Sequence, residues 1–327
     1  MKVISFKILV VCSWLMLGCD DSFQHQSTQT PETHAAHFSS PSLLVLGTLQ
    51  DGGSPHLGCE KPCCRNLFLR PASDRQVVCL GLIDEDEQGN KQGVMLESTP
   101  DFPKQWNAFK ERTGLAFEGL SIFLTHAHMG HYSGLMHLGR EALGASGVPV
   151  YCMPRMASFI QTNGPWSQLV DLNNIQIHTL QELAPVQATA HLRITPIRVP
   201  HRDEFSETVG FRIDGPQRSV LFIPDIDKWE RWDRQLESEL ERVDRAYLDA
   251  TFFDAAEVGY RDMAEIPHPF ILETMSRLDA MDDAIKDKIH FIHFNHTNPC
   301  LLDSSAAAME VKSRGYHLAR FMDVFAL

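Results

Sequence analysis

Apolar residues come in short runs that end in polar or turn-forming residues, a pattern typical of buried strands. In the first half of the chain, such runs lie at 42–49, 66–70, 75–83, 93–98, 120–124 and 148–153. In the second half, they lie at 192–199, 208–213, 219–223, 245–248 and 288–294. Helical periodicity between them, as at 228–240, predicts helices with one apolar face. Strands in runs, with helices between and after them, favour a sandwich of sheets covered by helices over a simple parallel sheet.

One predicted strand end carries three histidines within six residues. The run 120–124 is followed by His126, His128 and His131. The side chains of residues two apart in an extended strand end point to the same side, and a histidine in the next helical turn can point back towards them. Neutral imidazole is a common ligand of zinc-like ions. The junction therefore predicts a metal site, although neighbouring histidines in a chain with 16 of them can also be solvated or core side chains.

Composition limits the classes of partner. The chain has 327 residues, 43% of them hydrophobic, and a formal net charge of −13. Its length and apolar content suit a globular protein with a sizeable core. The negative charge argues against nucleic-acid binding, because a phosphate backbone needs a basic surface. We expect a small-molecule substrate as partner, and the sequence does not determine an oligomeric state.

The N-terminal segment predicts export. Residues 1–18 combine two lysines with the apolar run 8–17, too short to span a bilayer comfortably, and have the pattern of a signal peptide. The end Met-Leu-Gly-Cys resembles a bacterial lipobox, which implies a lipoprotein with its lipid on Cys19. Residues 19–41 are polar and predict a flexible tether, which leaves 42–327 as the domain. We expect a protein anchored to the periplasmic face of a bacterial membrane, inner or outer. An ordinary secretory signal or a single anchoring helix is the alternative.

Three further polar residues follow apolar runs. His201 comes after LRITPIRVP, Asp225 after SVLFIP and His296 after KIHFIHFN. Taken singly, each has an ordinary structural alternative: His201 as a surface loop residue, Asp225 as a helix N-cap and His296 as a turn residue. Loops at strand ends, however, present chemistry on a rigid scaffold.

The order HxHxxH, His, Asp, His at successive strand ends resembles the metallo-β-lactamase superfamily, over residues 42–327. The resemblance implies an α/β fold of the αββα four-layer sandwich type, with a metal site on one edge. The first ion would be held by His126, His128 and His201. Asp225 would bridge two ions, and the second ion would be held by His131 and His296.

Within the superfamily, several segments are similar to protein B of pyrroloquinoline-quinone biosynthesis (PqqB). These segments are LGTLQDGGSPHLGC, LESTPDF, VPHRDEFSETVGF, LFIPDID, YLDATFFD and HFNHTNP. The chain departs from the superfamily pattern HxHxDH, because its acidic position is Gly130. That Asp is a ligand of the second ion in the family, so we expect a weaker second site and either one or two ions.

The cysteines predict a second site. Cys59, Cys63 and Cys64 follow a Gly-rich turn and resemble the structural zinc knuckle of the relatives. A closed tetrahedral site needs a fourth ligand, for which Cys300 is the candidate. Disulfides are the alternative, favoured in an oxidising exported compartment. His56, in the same loop, and His268 are expected near the substrate.

The leading hypothesis is a metal-dependent hydrolase acting on an ester, amide, thioester or phosphodiester bond. Zinc is the expected ion, with iron or manganese as alternatives. Catalytic roles fall on Asp225, which would orient the attacking water, and on His131 and His296, which would hold a second ion or donate protons. An iron-dependent oxidoreductase is a second hypothesis, since Gly130 would leave a coordination position open. A non-catalytic periplasmic binder of metal or cofactor is the third.

Overall fold

The computed structural model describes residues 38, 41–259 and 266–327. The predicted signal peptide, Cys19 and nearly all of the predicted tether lie outside these residues, so those predictions stay predictions. The first strand begins at Ser42. In the described part of the chain, no helix is long and apolar enough to cross a membrane.

The first sheet has seven strands, six of them the first six along the chain. They are β1 (Ser42–Gly47), β2 (Cys79–Glu85), β3 (Lys91–Leu96), β4 (Leu120–Phe123), β5 (Val148–Cys152), β6 (Ile175–Thr179) and, from the C-terminus, β14 (Val324–Ala326). Their order is β14-β1-β2-β3-β4-β5-β6. Pairing is antiparallel from β14 to β3 and parallel from β3 to β6.

The second sheet repeats this arrangement with the remaining strands. They are β7 (Val186–Gln187), β8 (Arg193–Arg198), β9 (Val209–Asp214), β10 (Ser219–Ile223), β11 (Arg245–Asp249), β12 (Ile289–Ile292) and β13 (His317–Leu318). Their order is β13-β12-β11-β10-β9-β8-β7. Pairing is antiparallel from β7 to β10 and parallel from β10 to β13.

Ten described α-helices connect and cover the strands. They are α1 (Pro62–Arg65), α2 (Phe102–Thr113), α3 (Met129–Tyr132), α4 (Pro154–Thr162), α5 (Trp166–Asp171), α6 (Leu236–Glu241), α7 (Ala255–Val258), α8 (Ile271–Leu278), α9 (Asp283–Lys286) and α10 (Ala306–Ser313). Proline stands in the first turn of α1, α2 and α4. Its fixed φ and missing N–H suit that position.

Three hydrophobic clusters define four layers. Alternate residues of β1 divide between two of them: Leu43 and Val45 pack between the sheets, whereas Leu44 and Leu46 pack under the helices of the first sheet. The third cluster lies between the second sheet and its helices. Successive strand residues point to opposite faces, so a strand covered on both faces is apolar throughout. The predicted αββα sandwich is confirmed.

Two predicted elements are wrong. Residues 66–70 form turns after α1 rather than a strand, and Leu69 is 86% exposed with no partner strand beside it. The predicted helix 228–240 is a 3-10 turn at Trp229–Arg231 followed by α6. The indole nitrogens of Trp229 and Trp232 donate to Thr274 and to the Arg198 carbonyl, so tertiary contacts outweigh the helical period.

Candidate metal centre

The candidate ligands follow the carboxyl ends of strands that run in one direction within each sheet. In the second sheet, Asp225 follows β10, Asp249 ends β11 and His293 follows β12, and these strands are parallel. Strand β8 runs the same way as β10, because β9 is antiparallel to both. In the first sheet, β1 and β4 also share a direction. Loops after such strands meet at one edge.

The HxHxxH segment has the predicted strand-to-helix junction. His128 has an extended backbone, with φ −90° and ψ 144°, and α3 starts at the next residue. His131 lies within α3, and its backbone N–H donates to the His128 carbonyl at 2.9 Å. The α-helix itself is only four residues long, because it passes into a 3-10 helix at Ser133–Leu138.

A first group consists of four side chains whose ligand atoms lie within 4.8 Å of one another: His126, His128, His201 and Asp225. The Asp225 Oδ2 atom lies 3.4 Å from His126 Nε2 and 3.2 Å from His201 Nε2. His201 Nε2 lies 3.3 Å from His128 Nδ1. The structure thus brings together the residues that the resemblance assigned to the first ion and the bridging carboxylate.

A second group shares Asp225 and adds Asp51, His131 and His293. The Nε2 atom of His131 lies 3.0 Å from Asp51 Oδ1 and 3.8 Å from Asp225 Oδ2. The Nε2 atom of His293 lies 3.3 Å from the same Asp51 oxygen. Burial would raise the pKa of the Asp51 carboxyl, but the His131 charge beside it holds that pKa well below its ordinary value.

His268, predicted near the substrate, lies inside the cluster. With Asp225, Asp249 and His293, it forms a third group of potential ligands. Its Nδ1 atom lies 2.8 Å from Asp249 Oδ2 and 3.2 Å from Asp225 Oδ1. The Asp249 oxygens also accept from the backbone N–H groups of Ile226 and Thr251, which fixes this carboxylate in place.

The donor spacing fits metal binding. Four ligands at about 2.0–2.1 Å from a tetrahedral ion are about 3.3 Å apart, and the closest pairs of the first group are 3.2–3.4 Å apart. Among the described residues, the buried atoms His126 Nε2 and Asp225 Oδ1 have polar neighbours at 3.4 Å and 3.2 Å but make no hydrogen bond of good geometry. Unpartnered buried polar atoms are costly unless an ion or water satisfies them. The residues present therefore fit one or two divalent ions.

Outer partners orient four of the imidazoles through Nδ1. The Nδ1 atoms of His126 and His131 lie 2.8 Å from Thr125 Oγ1 and 3.1 Å from Glu97 Oε1. Those of His201 and His293 lie 3.3 Å from Asp227 Oδ1 and 2.9 Å from Thr251 Oγ1. Such partners leave Nε2 for the ion and fix the ring.

Neighbouring charges and burial shift the pKa values of the site in opposite directions: carboxylates raise the pKa of His201 to about 9 against the effect of burial, whereas His126 is shifted down. Burial alone would raise the pKa of the Asp225 carboxyl, but the charges of His201 and His268 hold it well below its ordinary value. Burial, followed by the charge of His131, lowers the pKa of His126 well below its ordinary value. A neutral imidazole beside an ionised carboxylate is the donor pair that a divalent cation requires.

Solvent reaches some side chains of the cluster and not others. The side chains of His128, Asp51 and His268 are 14%, 23% and 13% exposed. Those of His126 and His293 are 1% and 0% exposed. The accessible side chains mark where a substrate can approach.

The placement of His296 in the second ion's ligand set is wrong. Its ring stacks on that of His56, with centroids 4.3 Å apart, and its ligand atom lies with the cysteine thiols. The imidazole that reaches the centre is His293, which directly follows β12 and has a φ of 68°. Burial, followed by the charge of His56, lowers the pKa of His296 to about 4.

The cysteine cluster has four potential ligands: Cys59, Cys63, Cys64 and His296. All three cysteines are free thiols, with Sγ–Sγ distances of 3.8 Å for Cys59–Cys63 and 3.9 Å for Cys63–Cys64. Sulfur atoms at 2.3 Å from a tetrahedral zinc are about 3.8 Å apart. The geometry therefore favours the metal interpretation over disulfides.

Cys300 does not belong to this cluster, so its prediction as fourth ligand is wrong. It is fully buried in the hydrophobic cluster of the second sheet and its helices. Burial raises the pKa of its thiol to about 12. His56 lies at the cysteine cluster, where its backbone N–H donates to Cys64 Sγ at 3.3 Å.

Sequence reasoning missed Asp51, Asp249 and His293. The signals were present, because Asp249 and His293 stand at strand ends within YLDATFFD and KIHFIHF, and Asp51 begins a Gly-rich turn. Nothing in these segments alone separates a ligand from a turn residue or a core histidine.

Residues 95–294 match a family model described as a β-lactamase superfamily domain. Coenzyme PQQ synthesis protein B of Acinetobacter baumannii (strain ACICU) is 23% identical over 306 residues, covering 85% of this chain and 97% of that protein. Among solved structures, Zn(2+)-bound PqqB from Methylobacterium extorquens matches with a TM-score of 0.69 at 19% identity, covering 88% of this chain and 100% of that one. A diphosphatase from the PhnP family matches with a TM-score of 0.56 at 18% identity, covering 88% and 97%.

Proposed function

The chain belongs to the β-lactamase superfamily, as an enzyme of metallo-β-lactamase fold, and from this premise we propose that it is a metal-dependent hydrolase. Its substrate would be a small molecule with an ester, amide, thioester or phosphodiester bond. The observation that carries the proposal is the meeting of two histidine groups at the Asp225 carboxylate. A shared carboxylate between two sets of imidazoles is the arrangement that holds a pair of ions close together.

The first ion would be held by His126, His128 and His201, and Asp225 would be shared with a second ion at His131 and His293. Zinc suits these imidazole and carboxylate donors, and manganese or iron also accepts them. A bound divalent ion supplies an activated water nucleophile at neutral pH and polarises the bond under attack.

Asp225 would orient the attacking water with one of its oxygens. Its Oδ2 atom faces His126 and His201, while Oδ1 lies 3.2 Å from His268 Nδ1 on the partly exposed side chain of that histidine. The low pKa of this carboxyl keeps it ionised, so it accepts a hydrogen bond from water.

His268 fits the role of proton donor to the leaving group better than His131 does. The His131 ring is fully buried, and both of its nitrogens contact carboxylates, from Glu97 and Asp51. The His268 ring is 13% exposed and contacts Asp249 through Nδ1. Its Nε2 is then available to exchange a proton with a bound molecule.

The test is a hydrolysis assay with the full chain, loaded with zinc or manganese, on a panel of esters, lactams, thioesters and phosphodiesters. We expect turnover of at least one class, lost in His126→Ala and kept in His178→Ala, which removes an exposed imidazole. A fully loaded protein that turns over no member of the panel would contradict the proposal and favour a non-catalytic binder.

An iron-dependent oxidoreductase is the second candidate, supported by the 23% identity to coenzyme PQQ synthesis protein B over nearly all of that protein. Imidazole and carboxylate donors suit iron as well as zinc. Gly130 does not leave a coordination position open for oxygen, because Asp51 fills that space. Anaerobic purification distinguishes the two: bound iron with oxygen consumption favours the oxidoreductase, and zinc without it favours the hydrolase.

A structural zinc would be held by Cys59, Cys63, Cys64 and His296. The four ligand atoms come from the loop after β1 and the segment after β12. An ion there would tie together the two segments that supply Asp51 and His293 to the centre.

The protein would act on the periplasmic face of a bacterial membrane, anchored through lipid on Cys19. The support is the apolar run and lipobox-like end of residues 1–19. Membrane fractionation of the full chain tests this: Cys19→Ala should release the protein from the membrane fraction, and retention of this variant would contradict a lipid anchor.

A further inference from the structure

Asp51 occupies the space that a side chain at position 130 would need. A Cβ atom built on Gly130 would lie 2.6 Å from each of the Cα, Cβ and Cγ atoms of Asp51. Carbon atoms in contact are about 3.5–4.0 Å apart. Asp51 in its present position and any side chain at 130 therefore exclude each other.

The Asp51 carboxylate faces the same ligands that an acidic residue at 130 would serve. Its Oδ1 atom lies 3.0 Å from His131 Nε2 and 3.3 Å from His293 Nε2. These spacings match the separation of about 3.3 Å between ligands of one tetrahedral ion. Asp51 also belongs to the group of ligand atoms that includes Asp225.

Backbone pairing holds Asp51 at the centre. The Gln50 N–H donates to the Phe294 carbonyl at 2.9 Å, and the Phe294 N–H donates to the Thr48 carbonyl at 2.8 Å. These bonds join the end of β1 to the residue after His293. The loop that carries Asp51 is therefore placed by the same contacts that place a neighbouring ligand.

We propose that Asp51 replaces the acidic residue of the HxHxDH motif, so that the second ion is held by a carboxylate from the first loop of the domain. The proposal rests on the proposed two-ion centre and names a ligand for it. It reverses the expectation of a weakened second site, because Gly130 makes room for Asp51 rather than leaving a position open.

The test changes each of the two positions separately in the full chain. Asp51→Gly should weaken binding of the second ion by more than about 100-fold, the upper end of the effect of losing an outer partner of a ligand, and should therefore show one zinc fewer per chain. Gly130→Asp should lose the same ion, because its side chain meets Asp51.

Zinc is counted by mass spectrometry of the metal after equilibration in buffered zinc, with circular dichroism to confirm folding. The matched control is Asp74→Asn, an exposed carboxylate in the same loop region, which should keep the wild-type count. Should Asp51→Gly keep every ion, Asp51 would only be an ion-pair partner of His131. A wild-type centre that takes up a single ion at saturating zinc would also overturn the proposal.

This test counts bound metal, so its result can be told apart from the result of the hydrolysis assay. A wild-type protein that binds two ions but hydrolyses nothing would contradict the proposed hydrolase function and leave Asp51 as a ligand. Hydrolysis by a protein that binds one ion would support the hydrolase function and contradict the role of Asp51.

Discussion

The imidazole of His268 contacts the carboxylate of Asp249, with 2.8 Å between Nδ1 and Oδ2. Asp249 is fully buried and is fixed by two backbone N–H groups, so it orients the ring without moving itself. The partly exposed His268 therefore presents its other nitrogen from a rigid support. The first prediction concerns this pair.

Replacing His268 with Gln should lower kcat by about 10²–10⁴-fold, the range for loss of a general acid. The metal content should stay at the wild-type value, because the first and second ligand groups do not include this residue. The measurement is kcat together with metal per chain, and His178→Gln, an exposed histidine, is the control. A variant that loses metal in proportion to activity would make His268 a ligand instead.

His126→Ala and His296→Ala should remove different ions. His126 belongs to the first ligand group and His296 to the cysteine cluster, so the first variant should lose activity and the second should retain most of it. Each should bind at least one zinc fewer than wild type. The measurement is zinc per chain with initial rates, and full inactivation of His296→Ala with the cysteine-site zinc retained would restore the original assignment.

Cys63→Ser should lose the proposed structural zinc. We expect Tm to fall by roughly 5 °C, because a loss of about 2 kcal/mol corresponds to about 4–8 °C at about 2–4 °C per kcal/mol in a large domain. Cys300→Ser tests the discarded ligand. It changes a buried core residue outside the cluster, so it should keep the zinc even where Tm falls. Zinc loss in Cys300→Ser, but not in Cys63→Ser, would contradict the assignment.

Asp227→Ala should weaken zinc binding by about 10–100-fold, the usual effect of removing an outer partner of a ligating histidine. Asp227 Oδ1 lies 3.3 Å from His201 Nδ1, and its other oxygen accepts from Arg231 at 2.9 Å. Arg231→Ala is the matched control, because the Arg231 side chain is 59% exposed and does not face His201. Equal affinity in Asp227→Ala and wild type, measured by zinc competition, would remove Asp227 from the site.

Stability should fall in acid partly through His290. Burial, followed by the charges of Arg245 and His317, lowers its pKa to about 3, whereas an unfolded histidine titrates near about 6.5. Below the unfolded pKa, the unfolded chain binds a proton that the folded chain does not. Stability is therefore lost as the pH falls from about 6.5 towards 3, by up to about 1.4 kcal/mol per pH unit.

The check is denaturant unfolding of zinc-saturated wild type and His290→Phe between pH 5 and 8. The variant should show a shallower fall below about pH 6.5, because its ring does not titrate. Parallel curves for the two proteins would mean that His290 titrates alike in both states.

Local pattern was sufficient for the layers and for the HxHxxH junction. The fold follows from apolar strands such as β1, in which alternate residues enter two different cores. The junction follows because His126, His128 and His131 lie within six residues, so one strand end and one helical turn determine their relative positions. Neither depends on a distant segment.

The choice between His293 and His296 needed the tertiary structure. Both follow the same strand, and residue type does not separate them. The course of the backbone separates the two histidines. His293 ends the strand with a φ of 68°, and the next residue, Phe294, pairs with Thr48. The chain then continues to the cysteine cluster, where His296 lies. The same contact decides that His296, and not Cys300, completes that cluster.

The sequence alone determined the sandwich fold, the location of the candidate ligands at strand ends and the three histidines of one junction. These features depend on spacing along the backbone. The tertiary structure decided which residues complete each ligand set. Asp51 and His131 are 80 positions apart and meet because Gly130 has no side chain. Periodicity sets the side on which a residue leaves its own strand, whereas packing between distant segments sets what it meets there.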